Sequence, residues 1–155
     1  MPNSINIGNA ILCDYVSRGE NNKHILVGVY SGDVLFVEFP PVSVFGLYLE
    51  YLIEGTERTE IKFSIRLNGD LVGEAVAEYE PTDFAQYTVF ALQQFPLPTL
   101  TTDSTLDVSL SAPGFRTVRA LQKHIRKLTQ SAFASAIRPP AARSRRARKA
   151  KASPP

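Results

Sequence analysis

Tryptophan is absent from this chain, cysteine and methionine occur once each, and histidine occurs twice in 155 residues. A lone cysteine can form no internal disulfide, so a disulfide-stapled scaffold is excluded. Cys13, His24 and His124 have no recognised zinc-ligand spacing. Asp33, Asp70, Asp83 and Asp103 all fall near turns, where aspartate serves the backbone itself, so no calcium site is expected. A glycine-rich phosphate loop opening a helix is also missing. No apolar run approaches the roughly 18–20 residues of a membrane span. The opening MPNSINIGNA lacks the basic and apolar regions of a signal peptide, which leaves a reducing cytoplasm as the expected compartment. Nothing in the composition asks for a cofactor or a metal, and no residue is nominated as catalytic.

Core-forming material is ample: 44% of the residues are hydrophobic, with nine Phe and six Tyr. One domain is the natural expectation for this length. The net charge of +2 conceals a separation. Residues 1–115 carry fifteen acidic and five basic side chains, a balance of −10, whereas residues 116–155 carry twelve basic and none acidic, a balance of +12.

The stretch Asn9–Leu35 organises the fold expectation. Two β-rich runs, Ala10–Val16 and His24–Tyr30, flank polar Ser17–Lys23, the pattern of a hairpin with a long polar tip. With Ser17 opposite His24, one face would carry Leu12, Val16, Ile25, Val27 and Val29, with Asp14 as the misfit. The other would carry Ile11, Cys13, Tyr15, Leu26 and Tyr30. Both faces being apolar, the pair is expected near the centre of a covered sheet. The strings N-A-I-L-C-D-Y-V and H-I-L-V-G-V-Y-S-G-D-V resemble the start of an uncharacterised bacterial family of small β-rich proteins, a domain of unknown function. That resemblance implies a sandwich-like fold and transfers no functional residue.

Further strands follow. Val42–Ile53 resumes with Leu47, Leu49, Tyr51 and Ile53 alternating against Tyr48, Glu50 and Leu52, and Ile61, Phe63, Ile65 and Leu67 alternate with polar residues. Asn68-Gly69 is a preferred hairpin pair, returning through Leu71–Glu80. Gln86–Phe95 and Thr105–Ser111 also read as strands. Arg116–Leu128 is ambiguous, because Val118, Leu121, Ile125 and Leu128 fit a helical spacing while a closing strand also fits; a strand turning helical after Gln122 is favoured. The fold expected is an antiparallel β-sandwich of seven or eight strands over residues 1–128, with a small barrel as the alternative. Residues 129–155 are rich in Ala, Arg, Ser and Pro and are expected to form a disordered tail.

Sites are scarce. Cys13 and His24 would be separated by roughly 13 Å along the hairpin, at ~3.3 Å per residue, too far for a thiol and its base. The carboxylates of Glu57–Glu60 and Glu74–Glu80 read as a solvated strand face. Arg138, Arg143, Arg145, Arg146, Arg148, Lys149 and Lys151 form a basic run suited to nonspecific anion binding, nucleic acid included, or only to solvation. The expected role is a non-catalytic binding or structural module with a protein partner, its interface marked by exposed tyrosines among Tyr15, Tyr30 and Tyr48. A nucleic-acid-associated protein is the alternative, and an enzyme whose site the linear sequence conceals is a lesser one.

Overall fold

The computed structural model describes residues 3–82 and 86–128. They form an all-β sandwich of ten strands. One sheet is three-stranded, built from β1 (Ser4–Cys13), β5 (Ser43–Glu54) and β8 (Thr88–Leu97) in the order β1-β5-β8. The other is five-stranded: β4 (Val34–Phe36), β10 (Val118–Lys127), β9 (Ser104–Ser111), β6 (Thr59–Leu67) and β7 (Asp70–Tyr79) lie in the order β4-β10-β9-β6-β7. A separate two-stranded hairpin pairs β2 (Tyr15–Arg18) with β3 (His24–Val27).

Alternation along the strands produces the core. On β6 the residues Ile61, Phe63, Ile65 and Leu67 are buried, and on β9 Leu106, Val108 and Leu110 are buried. They face Leu47, Leu49, Tyr51 and Ile53 of β5 in the opposite sheet. At the centre, Phe63 stacks on Phe90 at 3.8 Å between ring centroids and meets Tyr51 edge-on at 5.5 Å. Removing the apolar surface of one such aromatic side chain from water contributes about 1.5–3 kcal/mol. Asn68-Gly69 forms the β6–β7 turn with positive φ at both residues, 53° and 92°. Lys62 reaches Glu74 across that hairpin at 3.1 Å, whereas Arg66 donates to the Gly69 carbonyl instead.

Three expectations need correction. The hairpin register is one residue different: Arg18 is opposite His24, and Ser17 is opposite Ile25. Its strands are four residues each, and Ala10–Cys13 belongs to β1, which begins at Ser4 and pairs with β5. The hairpin is therefore not central. Tyr15, Ile25, Val27 and Val29 are solvent-exposed, while Val16 is buried. Thirdly, Arg116–Leu128 has no helical half, because β10 runs to Lys127. A register shift between Arg119 and Leu121 inserts one extra residue. That bulge turns the period-two spacing into a step of three from Val118 to Leu121, followed by four to Ile125, and so imitates a helix.

Candidate binding groove

Asp14 is the pivot from which the site is built. Its N–H donates to the carbonyls of Val27 and Gly28, and so the chain leaves β5 after Cys13 and turns into β2. The Asp14 carboxylate accepts the Tyr30 hydroxyl at 2.5 Å. Gly28 sits directly against that carboxylate with φ of 66°; a Cβ there would lie 1.8 Å from Asp14 Oδ2. Gly46 is the second close approach. A Cβ on it would meet Cys13 Sγ, the Gln93 carbonyl and the Val16 N–H, each at 3.0 Å, so glycine lets β2 cross tightly over β5. At the tip, Asn21 and Asn22 both take φ of 57°, and Gly19 N–H donates to the Lys23 carbonyl. The loop is thereby shortened to Gly19–Lys23, which sets the observed register.

The hairpin is folded over the outer face of the three-stranded sheet. His24 packs edge-on against Tyr48 with ring centroids 5.3 Å apart. Between hairpin and sheet runs a groove of about 640 Å³. One wall is Val16, Arg18, Asn22 and His24; the other is β8 with the residues just before it, from Gln86 to Gln93. On the inner side of β8 a second concavity of about 260 Å³ opens between the two sheets. Phe63, Ile65, Val72, Ala75 and Phe90 line it. Among the described residues lining the outer groove there is no carboxylate.

Among the described residues β8 lies at the end of its sheet, with β5 on one side and no strand on the other. Its sequence, TVFALQQFPL, contains no charged residue. The remaining edges of the two large sheets are guarded. β7 carries Asp70, Glu74 and Glu78, β4 is three residues long, and β1 is bulged at Gly8, packs beside β10 and gives its Leu12 carbonyl to Tyr30 N–H. Charge, brevity and bulging are the usual means of blunting an edge. β8 is long and uncharged, but it carries a bulge at Gln93-Gln94 opposite Gly46 and a proline at Pro96, and β2 packs beside it, so its regular stretch is Thr88–Leu92.

Cys13, His24 and His124 lie apart, as the sequence reading weighed them. Cys13 is buried opposite Gly46, and its thiol points to the Tyr15 carbonyl at 3.4 Å; burial pushes the thiol pKa up, away from the thiolate form. His24 contacts Tyr48, and His124 pairs with the Thr105 hydroxyl at 3.2 Å. No group of three or more His, Cys, Asp or Glu able to hold a metal occurs among the described residues. Asp33 pairs with Arg126, and Asp103 accepts the Lys127 N–H. Of the expected interface tyrosines only Tyr15 is exposed. Tyr30 packs on Phe45 and Tyr48 lies beneath His24, so exposed aliphatic residues of the hairpin take the place of aromatics. Arg138, Arg143, Arg145, Arg146, Arg148, Lys149 and Lys151 lie outside the described residues. Within the described part, the basic strand β10 is engaged internally: Arg119 with Asp107, Arg126 with Asp33, and Lys123 with the carbonyls of Tyr30 and Gly32.

Two phenols hydrogen-bonded to carboxylates titrate late. Tyr30 is pushed up to about 12, first by burial and then by the Asp14 carboxylate. Tyr48 is pushed up to about 12, first by its hydrogen bond to Glu50 and then by burial. Both values lie above the ordinary tyrosine value of about 10. The stability that each neutral phenol contributes is therefore complete below about 10 and lost as pH rises through about 12. Absorbance at 295 nm should show two phenols ionising near 12. Asp14→Asn should bring the Tyr30 phenol only partway down, because burial is the larger cause. A return to the ordinary value in that variant would show that Asp14 alone sets it.

No family model matches the chain, and no curated protein matches it in sequence. Among the described residues, no helix is long and apolar enough to cross a membrane. Nothing in the sequence marked Arg18, Asn22 and β8 as the walls of one groove. The usable signal for β8 itself was a ten-residue strand without charge that ends in proline spacing.

Proposed function

We propose that this protein is a non-catalytic binding module that recognises an extended polypeptide segment. The observation that carries the reading is the free edge of β8, uncharged and flanked by concavities on both of its faces. An edge of this kind offers main-chain hydrogen bonds for affinity, and alternate pockets on its two sides for selectivity. The reading accounts for the scarcity of chemistry: the lone thiol is buried and protonated, and the histidines serve packing and a strand-to-strand hydrogen bond.

Selection of displayed random decapeptides on the immobilised full chain tests it. The expected result is a consensus with a period of two whose members shift the amide resonances of Thr88–Gln93. No consensus, or shifts confined to other strands, would overturn the reading.

The basic run of the sequence from Arg138 to Lys151 supports a second reading, nonspecific nucleic-acid association. With seven positive charges, the plot of log affinity for duplex DNA against log salt should have a slope no steeper than about −6. Replacing the seven residues by glutamine in the full chain should abolish binding in an anisotropy titration. Binding that is insensitive to salt would exclude this role.

A further inference from the structure

The charges around β8 point to the kind of segment it accepts. We infer that the β8 edge takes an extended peptide in which apolar side chains alternate with acidic ones; this rests on the binding-module reading above. Successive side chains of a strand point to opposite faces. A strand added beside β8 would thus send every second side chain toward the cleft between the sheets, and the others toward the outer groove. The cleft side is lined mainly by apolar residues, Phe63, Ile65, Val72, Ala75 and Phe90 among them, and its one charged residue, Glu74, is paired with Lys62, which suits aliphatic side chains. The outer groove places Arg18 and His24 on its far wall, with amides from Asn22 and Gln93 and no carboxylate among its described lining residues. Arg18 is held toward the groove rim by its hydrogen bond to Asn22 Oδ1 at 3.2 Å. A carboxylate on the incoming strand gains a partner there, whereas a lysine meets an uncompensated cation.

A second copy of this chain fits the edge less well. β8 is recessed between the β2–β3 hairpin on its outer side and β7 on its inner side, and the β8 of another copy would be recessed in the same way. A single extended strand enters a channel that two sandwiches edge to edge do not share easily. The basic run of the chain's own C-terminal sequence has the wrong charge for the Arg18 wall.

The test uses fluorescein-labelled peptides of alternating valine and glutamate, alternating valine and lysine, and blocks of valine and glutamate of identical composition, titrated into the full chain. The expected order is alternating acidic tightest, with the lysine peptide weaker by at least about tenfold. The blocked peptide should not bind, because it cannot present apolar side chains to one face only. N-methylation of alternate amides in the acidic peptide should abolish binding, since the main chain makes the contact. Arg18→Glu should reverse the preference in favour of the lysine peptide, a reversal that a misfolded variant cannot produce. Equal binding of acidic and basic peptides, with shifts at Thr88–Gln93, would overturn the inference and leave the binding-module reading intact. Failure of every alternating peptide to bind would overturn the inference, and the absence of any consensus in the displayed library would overturn the binding-module reading with it. A full chain that sediments as a dimer with the β8 amides protected, and that ignores peptides, would assign the edge to a second copy.

Discussion

Phe63→Ala is expected to lower the stability of the fold by about 3–5 kcal/mol, the upper range for a single core truncation. Phe63 is fully enclosed on β6 and touches aromatic rings of the opposite sheet from two directions, Phe90 face to face and Tyr51 edge-on. Its loss combines the transfer energy of a large apolar group with a void that two flanking sheets cannot collapse to fill. Small domains are stable by only about 5–15 kcal/mol, so the variant should retain a cooperative transition at a much lower denaturant midpoint. Its melting temperature should fall by roughly 10 °C or more. Urea unfolding followed by far-ultraviolet circular dichroism measures this directly. A loss below 1 kcal/mol would mean that the two sheets are not held together through this ring. The variant also widens the inner concavity beside β8, which links core packing to the proposed site.

Gly28→Val is expected to be nearly as damaging, at about 2–4 kcal/mol, by a different route. The backbone there has φ of 66°, a region a β-branched residue avoids, and the added Cβ would overlap the Asp14 carboxylate. The carboxylate cannot simply withdraw, because it holds the Tyr30 hydroxyl. The expected signature is selective: the β2–β3 hairpin loses order, whereas β6 and β9 keep their amide protection. Combining Gly28→Val with Asp14→Ala should recover part of the loss, since the overlap disappears and the backbone strain remains. If the double variant is no more stable than the sum of the singles, the carboxylate contact is not the cause.

Period-two alternation was readable wherever one face is buried and the other wet. Residues 59–67 and 104–111 sit as their patterns demanded, because a strand of that kind has one way to face a core. Bulges defeated the same reasoning. One extra residue in β10 shifted the apolar spacing toward that of a helix, and nothing in the local composition separates the two. The hairpin register depended on how many residues the tip consumes. Gly19 and Lys23 close it early through a backbone hydrogen bond, a contact with no compositional mark. Asp14 stood out as a misfit, yet its role became clear only with Gly28 and Tyr30 beside it. The groove was out of reach for a related reason. Its walls come from residues 16–24 and 86–93, brought together because β5 lies between β1 and β8.

The pairing of β4 with β10 has a consequence for how the chain is made. The two strands run parallel, and Lys123 of β10 holds the Gly32 carbonyl from 91 positions away. β1 likewise finds its partner only once β5 has been synthesised. Few of the large-sheet pairings are local, so loop-closure entropy must be met before most contacts form, and high contact order of this kind slows folding. While the chain emerges from the ribosome, β4 waits without its neighbour until nearly all of the described residues exist. The sandwich therefore closes only once β10 has been made, and a chain halted before β10 exposes the flank of its own core.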